Sequence, residues 1–132
     1  MERDELIQEA FKALRNSYSP YSHYPVGAAV RTADGRVIYG TNIENASYPA
    51  GICAERNAVF SAYAQGYRKN DIIALAVVGQ GRTVAWPCGV CRHVLSELLN
   101  PDTPIYLSNG SETIETNMAE LLPLPFGPED LA

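Results

Sequence analysis

The chain has 132 residues, 46% of them apolar, and a formal net charge of −5. That is the size of one domain with enough apolar content for one core, so a single domain over residues 1–132 is expected. The acidic balance offers no basic face for a phosphate backbone and speaks against a nucleic-acid partner. Glu2, Asp4, Glu5, Lys12 and Arg15 interrupt the opening stretch as no signal peptide allows, and no run approaches the roughly 20 apolar residues of a membrane span. The expectation is a cytoplasmic protein with no membrane contact, whose three cysteines stay out of disulfides in a reducing compartment.

In chain order, Leu6, Ile7, Ala10, Phe11, Ala13 and Leu14 recur at helical spacing behind an acid-rich first turn, predicting an amphipathic helix over Glu2 to Asn16. Ser19, Pro20, Ser22 and Pro25 break it. Val26 to Arg31 and Val37 to Thr41 read as strands joined by a hairpin turn at Ala33, Asp34 and Gly35. After a polar loop, Ala54 to Ala64 carries Ala58, Val59, Ala62 and Tyr63 at helical spacing and predicts a second helix ending near Gly66. Ile72 to Val78 is a continuous apolar run, as expected of a strand buried on both faces. Pro87 suits the first turn of a third helix, whose apolar face continues through Val90, Val94, Leu95 and Leu98. Ile105 to Leu107 and Thr113 to Glu115 flank Asn109 and Gly110 as a second hairpin. This order makes a sheet covered by helices. Strand order does not follow from it.

Cys88 and Cys91 are three apart at a helix start, a spacing that places both sulfurs on one face and matches a common zinc half-site. Cys53 also stands where a helix begins, so the thiolates lie near partial positive helix ends. Three thiolates can hold one tetrahedral Zn2+ with bonds of about 2.3 Å and leave a position open for water. The alternative is a closed structural zinc site completed by His23 or His93. Glu55 weighs against that alternative. Positions two apart on a helix do not face each other, but Cys53 at the cap, outside the helical repeat, would let Glu55 share its pocket and move the protons of an activated water. By itself Glu55 is equally readable as an acid favoured by the helix dipole. Three thiolates on a divalent cation leave net negative charge, which asks for a donor to the sulfurs: Arg56 is the candidate and Arg92 the reserve, against ordinary surface charges as the plain reading.

The run Cys53-Ala54-Glu55 followed by Pro87-Cys88-Gly89-Val90-Cys91 resembles the cytidine deaminase family, a kin of the zinc signature of base deaminases. The resemblance extends through residues 19–29, 42–46, Tyr48-Pro49, 51–56, 120–123 and 126–131, nearly the whole chain, and is to the small homotetrameric members. It implies a three-layer α/β/α fold with a five-stranded mixed sheet, one zinc per subunit held by Cys53, Cys88 and Cys91, and hydrolysis of cytidine or 2′-deoxycytidine to the uridine counterpart with release of ammonia. Glu55 would carry a proton from the attacking water to N3 and then deliver another to the departing amine. By the same resemblance Asn42 and Glu44 match positions that bind the ribose 3′-hydroxyl, although as residues of a polar loop their type alone favours loop capping. The Ala54 backbone N–H matches the donor to the base O2. Tyr24 stands where a phenylalanine often stacks on the base, while Phe126, and Tyr48 with it, would reach a neighbouring subunit's pocket. Two residues depart from the pattern: His93 replaces a usual glutamine, and Trp86 replaces a small residue before Pro87.

Competing functions are a deaminase of a cytosine-containing antibiotic or modified nucleoside, a polynucleotide-editing deaminase, which the acidic balance disfavours, and a zinc-stabilised binding domain without turnover.

Overall fold

The structure is a computed structural model and describes residues 2–131. Helix α1 spans Arg3–Leu14, strands β1 and β2 span Val26–Thr32 and Val37–Thr41, and helix α2 spans Ala54–Ala64. Strand β3 is Ile72–Gly79, helix α3 is Gly89–Leu98, β4 is Ile105–Ser108, β5 is Thr113–Thr116 and α4 is Met118–Leu121. The strands form one five-stranded sheet in the order β2-β1-β3-β4-β5. The pairs β2–β1, β1–β3 and β4–β5 are antiparallel, and β3–β4 is parallel. The α3 crossover is what a parallel neighbour requires, since no tight turn can join parallel strands.

The expected mixed sheet is therefore present, and its two faces are covered unequally. On one face Leu6, Ile7, Ala10 and Leu14 of α1 pack on Ala29, Ala74, Ala76 and Val78. On the other, Ala58, Val59 and Ala62 of α2, Leu95 of α3 and Met118 and Leu121 of α4 pack on Ala28, Val30, Leu75, Val77 and Leu107. Alternation along β3 sends Ala74, Ala76 and Val78 to the first face and Leu75 and Val77 to the second, which is why its sequence is an unbroken apolar run.

Two glycines set how closely the helices approach. A Cβ on Gly40 would lie 2.4 Å from both Ala54 O and Ala58 N, so α2 rests directly on the backbone of β2. At Gly27 a Cβ would lie 2.1 Å from Ala10 O, and α1 rests there in the same way. Register places Val26 opposite Gly79 and Gly27 opposite Thr41, so the end of β2, the start of β1 and the end of β3 share one edge of the sheet. The loops leading to α2 and α3 both leave from that edge.

Three local expectations change. Pro87 does not enter the first turn of α3; the helix starts at Gly89, and Cys88 is its N-cap, with extended backbone and a sulfur that accepts the Cys91 N–H. A sulfur bonded back into the first turn performs the capping role, and the proline is displaced to the residue before it. Helix α1 is shorter at both ends than the predicted span of Glu2 to Asn16, as frayed ends commonly are. Helix α4 was not anticipated, because four residues carry no period to read; its start is marked only by Asn117, whose side chain accepts the Glu120 N–H at 3.0 Å.

Candidate active site

Cys53 is the N-cap of α2, with φ −79° and ψ 156°, and its extended backbone turns the sulfur away from the helical repeat. Cys88 caps α3 and Cys91 lies in its first turn, fully buried. The Sγ atoms of Cys53 and Cys88 are 3.8 Å apart, and all three sulfurs lie within 4.8 Å of one another. Tetrahedral bonds of about 2.3 Å separate sulfur ligands by about 3.8 Å, so the donor set and its spacing fit a zinc ion. Neither histidine joins this group among the described residues. The exposed His93 instead places Nε2 3.1 Å from Phe126 O, and His23 is also exposed, with φ 55°. Among the described residues no fourth protein ligand joins the cluster.

The thiols share protons unequally. Hydrogen bonding from Cys91 pulls the Cys53 thiol down to about 5 against the penalty of burial, with help from Arg56 and Cys88. The same bond, together with burial, pushes Cys91 up. Arg56 Nη2 lies 3.8 Å from Cys53 Sγ, and its buried Nε has no partner among the described residues. A guanidinium held against the sulfurs is the cationic neighbour that an anionic thiolate cluster calls for. Arg92, the reserve, is occupied elsewhere. Its Nε donates to Pro87 O at 2.8 Å and its Nη1 to Leu121 O at 3.2 Å, so it ties the loop before α3 to the end of α4.

Glu55 is only 5% exposed. Burial pushes its carboxyl up to about 7, with repulsion from Cys53 adding to the shift. An acid that exchanges its proton near neutrality, beside three cysteine sulfurs, has the properties of a proton carrier.

A cavity of about 550 Å³ opens over this cluster, lined by Cys53, Ala54, Glu55, Arg56 and Cys88 at one end. Tyr24, Asn42, Glu44 and Tyr48 also line it. The Asn42 side chain is built into the loop: Oδ1 accepts from Val26 N at 2.9 Å and from Ser17 Oγ, and Nδ2 donates to Tyr24 O at 2.9 Å. The Glu44 carboxylate accepts the N–H groups of Tyr21 and Ser22 at 3.0 and 3.1 Å, and also the Ser22 hydroxyl. These bonds, led by the Ser22 hydroxyl, hold its carboxyl below the usual range. Both residues thus cap the loop and face the cavity at once. The Tyr24 hydroxyl has room because Gly79 and Gly81 lack side chains; a Cβ on Gly79 would meet it at 2.9 Å. Phe126 is 58% exposed and does not line the cavity of its own chain.

Sequence reasoning passed over Tyr21 and Ser22. Tyr21 lines the cavity and meets Tyr48 edge-on with ring centroids 6.1 Å apart. Ser19, Pro20 and Ser22 read as helix breakers and residues 19–29 as part of the family resemblance, with no role for Tyr21 or Ser22, and the link from Ser22 to Glu44 spans 22 positions, beyond any local pattern.

A helix-covered mixed sheet with a metal-fitting trio of thiolates beside a buried carboxylate defines a metal-dependent hydrolase. Comparison with known proteins makes the assignment specific. The family model described as "Cytidine and deoxycytidylate deaminase zinc-binding region" matches residues 1–107. A cytidine deaminase of Halalkalibacterium halodurans is 48% identical over 132 residues, covering 99% of this chain and 98% of that one. A crystal structure of a cytidine deaminase from Burkholderia pseudomallei superposes with a TM-score of 0.92 at 45% identity, covering 96% of this chain and 100% of that one. A blasticidin-S deaminase of Bacillus cereus is 30% identical over 128 residues, 92% of this chain and 90% of that protein. The chain belongs to the cytidine and deoxycytidylate deaminase family.

Proposed function

We propose that the chain hydrolyses cytidine and 2′-deoxycytidine to uridine and 2′-deoxyuridine, consuming one water and releasing one ammonia, as a step of pyrimidine salvage. The observation that carries this reading is the buried Glu55 at the end of the cavity that holds Cys53 and Cys88. Cys53, Cys88 and Cys91 would hold the zinc, which would supply the Lewis acidity that makes water a nucleophile near neutral pH. Glu55 accepts one proton of the attacking water and passes it to N3 of the base, then takes the second proton from the hydroxyl newly bonded to C4 and delivers it to the departing amine as the C4–N bond breaks. Its poise near 7 suits it to both directions of transfer.

The other residues orient the substrate. The Ala54 N–H, in the first turn of α2 where helix N–H groups lack an intrahelical acceptor, donates to the base O2, and Tyr24 stacks on the ring. Asn42 keeps one amide hydrogen and Glu44 keeps unused lone pairs after their loop bonds, enough for the ribose 3′-hydroxyl. Arg56 stabilises the thiolates. The volume of about 550 Å³ lies within the usual range for small-molecule sites. Phe126, exposed on its own chain, completes the pocket of a neighbour in a homotetramer, with Tyr48 reaching across as well. The reading includes a single domain over residues 1–132 and a cytoplasmic location. Among the described residues no helix is long and apolar enough to cross a membrane.

The test follows the absorbance change of cytidine conversion with wild type and Glu55→Ala, each with measured zinc content. Turnover by wild type, with zinc retained and turnover lost in Glu55→Ala, is the expected result. Wild type with full zinc that leaves cytidine and deoxycytidine untouched refutes the reading, and blasticidin S and single-stranded DNA belong in the same panel as competing substrates.

A further inference from the structure

The loop from β3 to α3, residues 80–88, brings a large aromatic side chain to the cavity. Trp86 is 50% exposed, lines the cavity together with Ala85 and Cys88, and stands two residues before Cys88. On a loose loop such a side chain would constrain nothing, but this loop is pinned along its length. Asn109 Nδ2 donates to the carbonyls of Gly81 at 3.1 Å and Arg82 at 3.0 Å. Val84 and Ala85 are buried, the Trp86 N–H donates to Val84 O at 3.1 Å, and Arg92 Nε holds Pro87 O at 2.8 Å. Pro87 itself has no φ freedom. The indole therefore extends from a backbone that cannot easily retreat.

Resting on the deaminase reading, the chemistry locates the reacting nitrogen. The amine leaves from the carbon that water attacks, and Glu55 must reach both. Glu55, Cys88 and Trp86 line one cavity, so the wall that precedes Cys88 borders the same space in which that nitrogen must react. Of the two residues forming that wall, Ala85 is small and largely buried, and Trp86 alone has bulk to place in the way. We propose that Trp86 is a specificity-determining residue: its indole limits the group carried by the exocyclic nitrogen, so that the site accepts the unsubstituted amine and rejects N4-alkylated cytosine nucleosides.

The experiment measures kcat/KM for cytidine and for N4-methylcytidine, which releases methylamine, in zinc-loaded wild type, Trp86→Ala and Trp86→Phe. The expected result is a ratio of N4-methylcytidine to cytidine that rises on the order of tenfold in Trp86→Ala, the scale of one methyl group in an apolar pocket, and less in Trp86→Phe. A general structural role would lower both substrates in proportion, and an unmoved ratio overturns the proposal. A second readout needs no turnover. Trp86 is the sole tryptophan of the chain, so titration of wild type with uridine should shift or quench all indole emission with a midpoint matching the inhibition constant of uridine. Emission that stays unchanged at fully inhibitory uridine overturns the proposal. Zinc-loaded wild type inactive on cytidine itself refutes the deaminase reading, and this proposal with it, a failure distinct from the other two.

Discussion

Burying Glu55 carries a cost that can be read in the stability of the zinc-free protein. Its carboxyl moves from 4.5 to about 7 on folding, so between those values the native state binds more protons than the unfolded chain. Stability contributed by this residue therefore falls as pH rises through the window. At 1.36 kcal/mol per pH unit the whole displacement is worth about 3 kcal/mol, and about 2 kcal/mol of it falls between pH 5.5 and pH 8. Glu55→Gln removes the titration. Urea denaturation of chelator-treated wild type and Glu55→Gln at both pH values, at one protein concentration, gives four free energies. The difference between variant and wild type should grow in favour of the variant by about 2 kcal/mol from pH 5.5 to pH 8. Any constant penalty from an imperfectly paired amide cancels in that comparison. Parallel pH dependences would refute the argument that burial displaces Glu55, and with it the physical basis for its role as proton carrier. A variant gaining stability while losing turnover is the usual signature of a group kept for function.

Further outcomes follow from the same geometry. Gly40→Ala places a methyl group against the backbone of Ala54 and Ala58; overpacking of this kind should cost about 1–3 kcal/mol, and because the shift falls at the start of α2, urea midpoint and zinc retention should drop together. Arg56→Ala should weaken zinc retention in a chelator competition and reduce turnover, and both staying at wild-type levels would rule out its action on the sulfurs. Phe126→Ala should raise KM for cytidine with little change in the zinc content of the protein, since the side chain stands outside its own cavity; an unchanged KM would remove it from the substrate pocket.

Much of the fold could be read because its elements are bounded by strong local signals. The second helix begins and ends where its apolar period does, at Ala54 and Ala64, and both hairpins close on their glycine turns. Boundaries set by a competing local bond were misread: Cys88 took the cap of α3, an arrangement that proline preference alone could not foresee. Arg92 was readable as a charge near sulfur, yet it serves two carbonyls, one of them on a helix 29 positions away.

Residue identity supplied the chemistry available at the site: three soft ligands at two helix starts and one carboxylate, with His23 and His93 both still open as a fourth ligand. These follow from residue type and short spacing, which a helix start converts directly into position. Only the tertiary structure decided which atoms meet. Strand order brings the ends of β2 and β3 and the start of β1 to one edge, Gly40 lets α2 settle there, and the sulfurs of Cys53 and Cys88 close to 3.8 Å. The same convergence buries Glu55 and sets Trp86 in the cavity wall, because burial is a property of neighbours from distant segments and has no local spacing to betray it.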